Sequence, residues 1–218
     1  MRENRPKRAL RKGEVIIGLL LFIPSPELVE IMGQAGFDFV IIDFEHGSFG
    51  IDSARNCVLA ADAANIAPII RVADNQSTLI EQALDLGAQG VVVPHVNTVE
   101  EATRAVRAAK YPPAGNRGYC PVARGGGYGK YGFGPEYTEQ ANEETMVILL
   151  IEDVAAMENI EAILSVEGVD VVFPGPGDMA ASMGLVGQFD HEAVRSNMEL
   201  VVATAKKRGL AAATTPFS

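Results

Sequence analysis

The feature that most constrains the fold is a regular alternation of short apolar runs with segments of helical period. Continuous apolar runs rich in Val and Ile are typical of strands buried on both faces of a parallel sheet. Strand and helix repeated in this order predict an α/β protein, either a (β/α)₈ barrel or a doubly wound sheet. The runs lie at 15–24, 37–45, 67–72, 90–96, 146–153, 169–178 and 210–216.

The size of the chain fits one domain. It has 218 residues, of which 48% are hydrophobic, and this suffices for a single core. We predict one domain over 1–218 and prefer the barrel, with seven strands visible and the eighth βα unit apparently absent from the chain as given. The basic stretch 1–13 predicts a solvated N-terminal arm. The long connection 112–142 is expected at the active face, because loops of this length are commonly functional.

The charge balance limits the partners. The 18 basic residues face 28 acidic ones, which argues against nucleic acid, since phosphate binding needs a basic face. A small anionic substrate remains compatible, because one local arginine can bind it. No apolar run is long enough to span a membrane, and there is no secretory signal, so we expect a cytoplasmic protein without a membrane partner.

Titratable residues stand where the predicted strands end. Asp43, Glu45 and His46 close the second apolar run, and Arg71 closes the third. In parallel α/β folds, the carboxyl ends of the strands form the active face, so these side chains are candidates for a site. His95 closes the fourth run, and we interpret it as a packing residue.

Two carboxylates, Glu152 and Asp178, end the fifth and sixth runs. If they face one another they would repel unless they share a cation, and hard oxygen ligands suit Mg²⁺ or Mn²⁺. The alternative is a pair of helix caps or solvated turn carboxylates. Gly175 and Gly177 favour the metal site, because glycine lets the backbone approach a ligand closely.

Arg71 lies in an otherwise apolar run and therefore needs a partner. It could form a structural ion pair, or it could present a fixed cation to a carboxylate or a developing oxyanion. His46 is a candidate general acid or base, because the pKa of histidine lies in the useful range. Asp85 is a candidate for orienting His46.

With these residues in hand, the chain resembles the HpcH/HpaI family of class II, metal-dependent pyruvate aldolases. This family includes 2-keto-3-deoxy sugar-acid aldolases and 2,4-dihydroxyhept-2-ene-1,7-dioate aldolase. The resemblance extends over essentially all of the chain from "GEVIIG" onward. The motifs that show the resemblance are "DFEHGSFG", "PIIRVADN", "LDLGAQGVVVPHVNTVEEA", "AAKYPPAGNRG", "IEDVAAMENI" and "VEGVDVVFPGPGDMAASMG".

The resemblance implies a (β/α)₈ barrel in which Glu152 and Asp178 hold Mg²⁺, Mn²⁺ or Co²⁺. His46 resembles the catalytic base of the family, and Asp85 the residue that raises its basicity. Arg71 resembles the residue that stabilises the transition state. The implied reaction cleaves a 4-hydroxy-2-oxo acid into pyruvate and an aldehyde, through a metal-stabilised pyruvate enolate.

Further expectations come from the same resemblance. The backbone around Gly177 and Asp178 would receive the pyruvate carboxylate. Asp43 is an additional site candidate because of its position at a strand end and not because of the resemblance. The expected assembly is a homo-oligomer, a hexamer in this family, and the expected partners are a 2-oxo acid and an aldehyde.

The chain departs from the family pattern at Leu150, where glutamine is common near the bound keto acid. An apolar side chain cannot supply that hydrogen bond. Two alternatives to aldol cleavage therefore stay open. One is related enolate chemistry of decarboxylase or citrate-synthase type. The other is a non-catalytic, incomplete barrel that binds 2-oxo acids.

Overall fold

The computed structural model describes residues 2–215. Within them, seven parallel strands form one curled sheet in the order in which they occur along the chain. This arrangement confirms the α/β class and is like that of a TIM barrel, whereas the missing eighth unit stays a prediction. The strands are β1 (Gly18–Leu21), β2 (Phe39–Asp43), β3 (Ala67–Arg71), β4 (Gly90–Val93), β5 (Met146–Ile151), β6 (Val171–Pro174) and β7 (Ala211–Ala212).

Helices connect the strands and cover one face of the sheet. Within residues 2–215, none of them has the length and apolar composition needed to cross a bilayer. Short 3₁₀ segments at Arg124–Gly129 and Val154–Asn159 add to the connections. The helices are α1 (Arg5–Arg11), α2 (Pro26–Gln34), α3 (Ile51–Ala63), α4 (Ser77–Asp85), α5 (Val99–Ala109), α6 (Pro135–Glu144), α7 (Ile160–Ile163), α8 (Pro176–Ser182) and α9 (Glu192–Lys207).

The core divides into two layers because successive strand side chains point to opposite faces. One set, which includes Ile42, Ile70 and Leu149, belongs to the large cluster that also contains the helix residues. The other set fills the opposite face of the sheet and consists of Ile41, Ile69, Val92, Met146, Ile148, Leu150, Val171 and Phe173. The inner strands β2 to β6 are therefore buried on both faces, as their continuous apolar runs predict, whereas the edge strands β1 and β7 are partly exposed.

The basic start of the chain is a docked helix, so the prediction of a solvated arm was wrong. Asn4 caps α1 and is buried, and its side-chain amide donates to the carbonyl oxygens of Gln89 and Glu144 at 2.8 and 2.9 Å. Lys7 is also buried, and its ammonium lies 2.9 Å from a carboxylate oxygen of Asp170. These partners precede β4, β5 and β6, so α1 covers the edge where the strands begin.

We expect Asn4→Ala to lower the free energy of unfolding by about 2 kcal/mol. The substitution removes the N-cap of α1 and leaves two buried carbonyl oxygens without their donors. Urea unfolding monitored by circular dichroism measures the change. Asn56→Ala is the matched control, because Asn56 is exposed on α3, and its stability should stay close to that of the wild type. Equal stability of the two variants would contradict the docking of α1.

The long connection 112–142 does not lie at the active face. It follows α5 and leads into β5, so it runs along the edge where the strands begin. Its contacts agree with this position, since a guanidinium nitrogen of Arg124 donates to the carbonyl oxygen of Leu86, just after α4, at 3.2 Å. The expectation failed because glycine content and length do not show at which end of the sheet a loop lies.

Candidate metal and 2-oxo acid site

The register of two neighbouring strands places the first two residues of the site side by side. Asp43 and Arg71 are the last residues of β2 and β3 and stand opposite one another in the sheet. The Nε of Arg71 donates to Oδ1 of Asp43 at 2.9 Å, and its Nη2 donates to Oδ2. Such a two-pronged pair holds the guanidinium in one orientation. The buried arginine therefore has the partner that its sequence context required.

The charges of this pair stabilise one another despite their burial. Burial alone would raise the pKa of Asp43, but the hydrogen bonds and charge of Arg71 lower it below the usual range. Burial alone would likewise lower the pKa of Arg71, but the bonds to Asp43 and the nearby charge of Glu45 raise it. Both groups are therefore charged at neutral pH, and Arg71 is a permanent cation in the site.

Asp43 also shapes the turn that follows β2. Its Oδ1 accepts the backbone N–H groups of Glu45 at 2.9 Å and His46 at 3.3 Å. This turn places Oε2 of Glu45 3.1 Å from Nη1 of Arg71, on a side chain that is only 7% exposed. Sequence reasoning located Glu45 at a strand end but assigned it no role, whereas the structure puts it in the centre of the site.

Glu45, His95 and Glu152 converge from three strand ends. Nε2 of His95 lies 2.9 Å from Oε1 of Glu45, and Nδ1 of His95 lies 3.1 Å from Oε1 of Glu152. One ligand atom from each of the three residues lies within 4.8 Å of the other two. Among residues 2–215 this is the one group of three or more acidic, histidine or cysteine side chains close enough to share a metal ion.

The backbone of His95 holds the imidazole over this group. His95 has a φ of +56°, which is uncommon for a residue with a side chain. Its N–H donates to Oε1 of Glu152 at 2.9 Å, and this bond stabilises the unusual conformation. The interpretation of His95 as a packing residue was wrong, because its side chain is 57% exposed and faces two carboxylates. Its position at a strand end was the signal that could have identified it.

Glu152 is the most strongly perturbed acid of the site. Burial raises its pKa from the usual 4.5 to about 7, while the N–H and imidazole of His95 counteract this rise. The negative charges of Glu45 and Asp178 raise the pKa further. A bound cation would lower the cost of keeping Glu152 charged, because it would neutralise several carboxylates at once.

Asp178 lies beyond this compact group but within its electrostatic range. It occupies the first turn of α8, where it is exposed, and its charge acts on Glu152. Gly175, just before α8, packs against Glu152, since a Cβ added there would lie 2.8 Å from the Cβ of Glu152. A Cβ at Gly177 would meet only Phe189, at 3.8 Å. The predicted ligand pair Glu152 and Asp178 thus shares one region, and its metal-binding role stays a prediction.

The residues present fit a divalent cation. Oε2 of Glu45 is buried and has no hydrogen-bond partner among residues 2–215, although Arg71 lies near it. A buried carboxylate oxygen without a donor is costly and is commonly satisfied by a metal ion. The oxygen donors of Glu45 and Glu152 suit a hard cation such as Mg²⁺ or Mn²⁺.

His46 and Asp85 do not form the expected pair within one chain. His46 follows β2, its side chain is 58% exposed, and its Nε2 lies 3.8 Å from Oε2 of Glu45. Asp85 is the last residue of α4, which returns the chain to the edge where the strands begin. Its carboxylate accepts a bond of 2.8 Å from Arg117. Within one chain the two residues lie apart, because helix ends and strand ends are at opposite edges of this fold, and the pairing stays a prediction.

Leu150 lies on β5 in the cluster inside the curled sheet and is buried. A Cβ added at Gly175 would lie 3.5 Å from its Cδ1, so Leu150 lies next to the loop that carries Gly175. The side chain therefore supplies an apolar surface beside Glu152, and no hydrogen bond.

In EDTA, we expect Glu152→Gln to be more stable than the wild type at pH 8 and close to it at pH 4. The folded protein binds the proton of Glu152 more tightly than the unfolded chain does, so wild-type stability falls as the pH rises from 4.5 to about 7. The difference at pH 8 is on the order of 3 kcal/mol at most. Urea unfolding at several pH values measures it, and a difference that does not depend on pH would contradict the raised pKa.

Comparison with known proteins shows the family of the chain. The sequence pattern of HpcH/HpaI aldolase/citrate lyase matches residues 17–217. Hydroxypyruvate/pyruvate aldolase of Roseobacter denitrificans is 38% identical over 96% of this chain and 81% of its own length. 5-keto-4-deoxy-D-glucarate aldolase of Klebsiella pneumoniae is 35% identical over 94% of this chain and 79% of its own length.

A solved structure extends the comparison. Citrate synthase SbnG superposes with a TM-score of 0.88 at 32% identity, over 97% of this chain and 82% of its own. The family match and the aldolase relatives identify the chain as a carbon–carbon lyase. The chain belongs to the HpcH/HpaI aldolase/citrate lyase family.

Proposed function

We propose that this protein cleaves a 4-hydroxy-2-oxo acid to pyruvate and an aldehyde, and catalyses the reverse condensation, with a divalent metal ion. The observation that carries the proposal is the convergence of Glu45, His95 and Glu152 beside the Arg71–Asp43 pair. Negative ligands and a fixed cation at one strand edge suit a substrate that is itself an anion and becomes more negative during the reaction.

The metal ion would be held by Glu152 and Asp178, with Glu45 facing the same region. When bound, it would supply a Lewis acid that polarises the keto group and stabilises the negative charge that develops on its oxygen. Gly177 and the backbone N–H groups of the first turn of α8 present donors for the substrate carboxylate, because the first N–H groups of a helix lack partners within the helix.

Arg71 keeps its guanidinium in place throughout the reaction. Its two bonds to Asp43 and its contact with Glu45 leave it little freedom, so it stabilises a developing oxyanion without reorganisation. Asp43 thus acts on the chemistry through Arg71. Leu150 limits the polar contacts that the keto acid can make on the β5 side.

His46 would transfer the proton at the hydroxyl group of the aldehyde half. Its exposed imidazole extends towards the open side of the site, where the variable part of the substrate enters. Asp85 can assist His46 only across an interface between copies of the chain, because the two residues lie at opposite edges of one sheet. The hexameric assembly and the cytoplasmic location stay predictions.

Deuterium exchange at the methyl group of pyruvate tests the proposal without knowledge of the aldehyde. Pyruvate is incubated in D₂O with the protein and Mg²⁺ or Mn²⁺, the metal is removed, and the methyl signal is measured by NMR. We expect exchange that requires both protein and metal and that EDTA abolishes. Absence of exchange by the folded, metal-loaded protein would reject the proposal and favour a chain that only binds 2-oxo acids.

A second candidate function is related enolate chemistry of decarboxylase or citrate-synthase type. Two observations favour it: the apolar Leu150 beside Glu152, and the similarity to citrate synthase SbnG. The two functions share pyruvate enolate formation or its equivalent and differ in the electrophile. A panel of aldehydes with pyruvate, run beside oxaloacetate alone, separates them, because only an aldolase consumes the aldehydes.

A further inference from the structure

His95 distinguishes this site from one built of carboxylates alone. The predicted ligands Glu152 and Asp178 offer only oxygen, which suits Mg²⁺. His95 adds an imidazole at 2.9 Å from Glu45 and 3.1 Å from Glu152. Neighbouring ligands around an octahedral ion with bonds of roughly 2.1 Å lie about 3 Å apart. The two distances start from different ring nitrogens, Nε2 towards Glu45 and Nδ1 towards Glu152, so either nitrogen is near one carboxylate oxygen. One ligand atom from each of the three side chains lies within 4.8 Å of the other two, which is close enough for the three to share an ion.

We infer that His95 is a nitrogen ligand of the metal ion and that it shifts the preference of this protein from Mg²⁺ towards Mn²⁺ and Co²⁺. The inference rests on the proposed function for the presence of a metal. One ring nitrogen binds the ion and the other keeps its contact with a carboxylate, which orients the ring. Imidazole favours transition metals over Mg²⁺, and among them affinity rises from Mn²⁺ to Co²⁺.

Two further observations support this assignment. Oε2 of Glu45 is buried and accepts no hydrogen bond from the described residues, and its closest charged neighbour among them is the guanidinium of Arg71 at 3.1 Å, so the carboxylate can still bind a metal ion. In addition, the N–H of His95 is bonded to Glu152, which holds the residue at its positive φ and keeps the ring over the carboxylates. A packing role would require neither the exposed ring nor its approach to two acids.

The test compares His95→Asn with His191→Asn. Asparagine tolerates positive φ better than most residues, so the backbone at position 95 is preserved. His191 is exposed at the start of α9, where asparagine is also a good helix cap, so this variant is a matched control. Circular dichroism verifies that both variants are folded before metal is added.

Calorimetric titration measures the affinity for Mg²⁺, Mn²⁺ and Co²⁺ in the absence of substrate. We expect His95→Asn to bind Co²⁺ and Mn²⁺ at least about tenfold more weakly than the wild type, with a smaller change for Mg²⁺. His191→Asn should match the wild type. Equal losses for all three metals, or no loss at all, would overturn the assignment.

A spectroscopic measurement detects a nitrogen ligand of the metal ion directly. The chain has three histidines, and labelling them with ¹⁵N should change the nitrogen modulation of the electron spin echo of bound Mn²⁺. The modulation should vanish in His95→Asn and persist in His191→Asn. Its absence from the wild type, or its persistence in His95→Asn, would show that His95 is not a ligand.

These outcomes separate the inference from the proposed function. Metal-dependent pyruvate exchange without nitrogen modulation keeps the aldolase proposal and rejects the role of His95. Nitrogen modulation that depends on His95, without exchange, establishes the metal ligand and rejects the aldolase proposal.

Discussion

We expect the Glu152→Gln protein to exchange the methyl protons of pyruvate about a hundred- to a thousandfold more slowly than the wild type. Glutamine preserves the shape of the side chain but removes the charge that the metal ion requires. Glu152 is buried and near three other titratable groups of the site, so water cannot easily replace its carboxylate. The NMR assay with saturating Mn²⁺ measures the loss.

Glu158→Gln is the matched control, because Glu158 is an exposed glutamate six residues further along the chain. This variant should exchange the methyl protons of pyruvate at the wild-type rate. Because Glu152→Gln should be at least as stable as the wild type in EDTA at pH 8, unfolding cannot account for its loss of activity. Wild-type exchange by folded Glu152→Gln would rule out Glu152 as a ligand.

We expect Arg71→Met to lower the free energy of unfolding by about 3–5 kcal/mol at neutral pH. Asp43 is fully buried, and it would lose the two bonds that stabilise its charge. Glu45 would lose its nearest cation as well. The folded fraction should also exchange pyruvate about a hundredfold more slowly or worse, because the fixed charge in the site is gone.

The pH dependence of the loss of stability in Arg71→Met provides a further check. The lowered pKa of Asp43 contributes stability to the wild type above the usual value of 3.8, and this contribution disappears as the pH falls through the lowered pKa. The difference between the wild type and Arg71→Met should therefore shrink under acidic conditions. Arg107→Met, on the exposed face of α5, should change stability little. A constant difference from neutral to acidic pH would contradict the ion pair.

The strands were predictable because their signal is local. Each apolar run marks a strand, and the order of runs is the order of strands in the sheet. The docking of the N-terminal residues was not predictable in this way. Asn4 is bonded to Gln89 and Glu144, which are 85 and 140 residues away in the chain. No local pattern in the first residues shows that such partners exist.

The sequence predicted where the site lies, but not which side chains contact one another in it. The rule that active residues follow strands located Asp43, Arg71 and Glu152, and it also located Glu45 and His95. Sequence alone does not show which of these side chains turns inward, since that depends on the turn made by Asp43 and on the positive φ of His95. This rule does not apply to Asp85, which lies at the end of a helix and was proposed as the residue that orients His46.

The close packing of Gly175 against Glu152 limits how this enzyme can diversify. A side chain at position 175 would displace Glu152, whereas Gly177 has room for a methyl group. In a randomised library selected for turnover of new aldehydes, glycine should therefore be nearly invariant at 175 while alanine is recovered at 177. New substrate specificity would therefore have to arise from other residues around the open side of the site. Within the same segment, one glycine resists substitution and another, two residues later, accepts it.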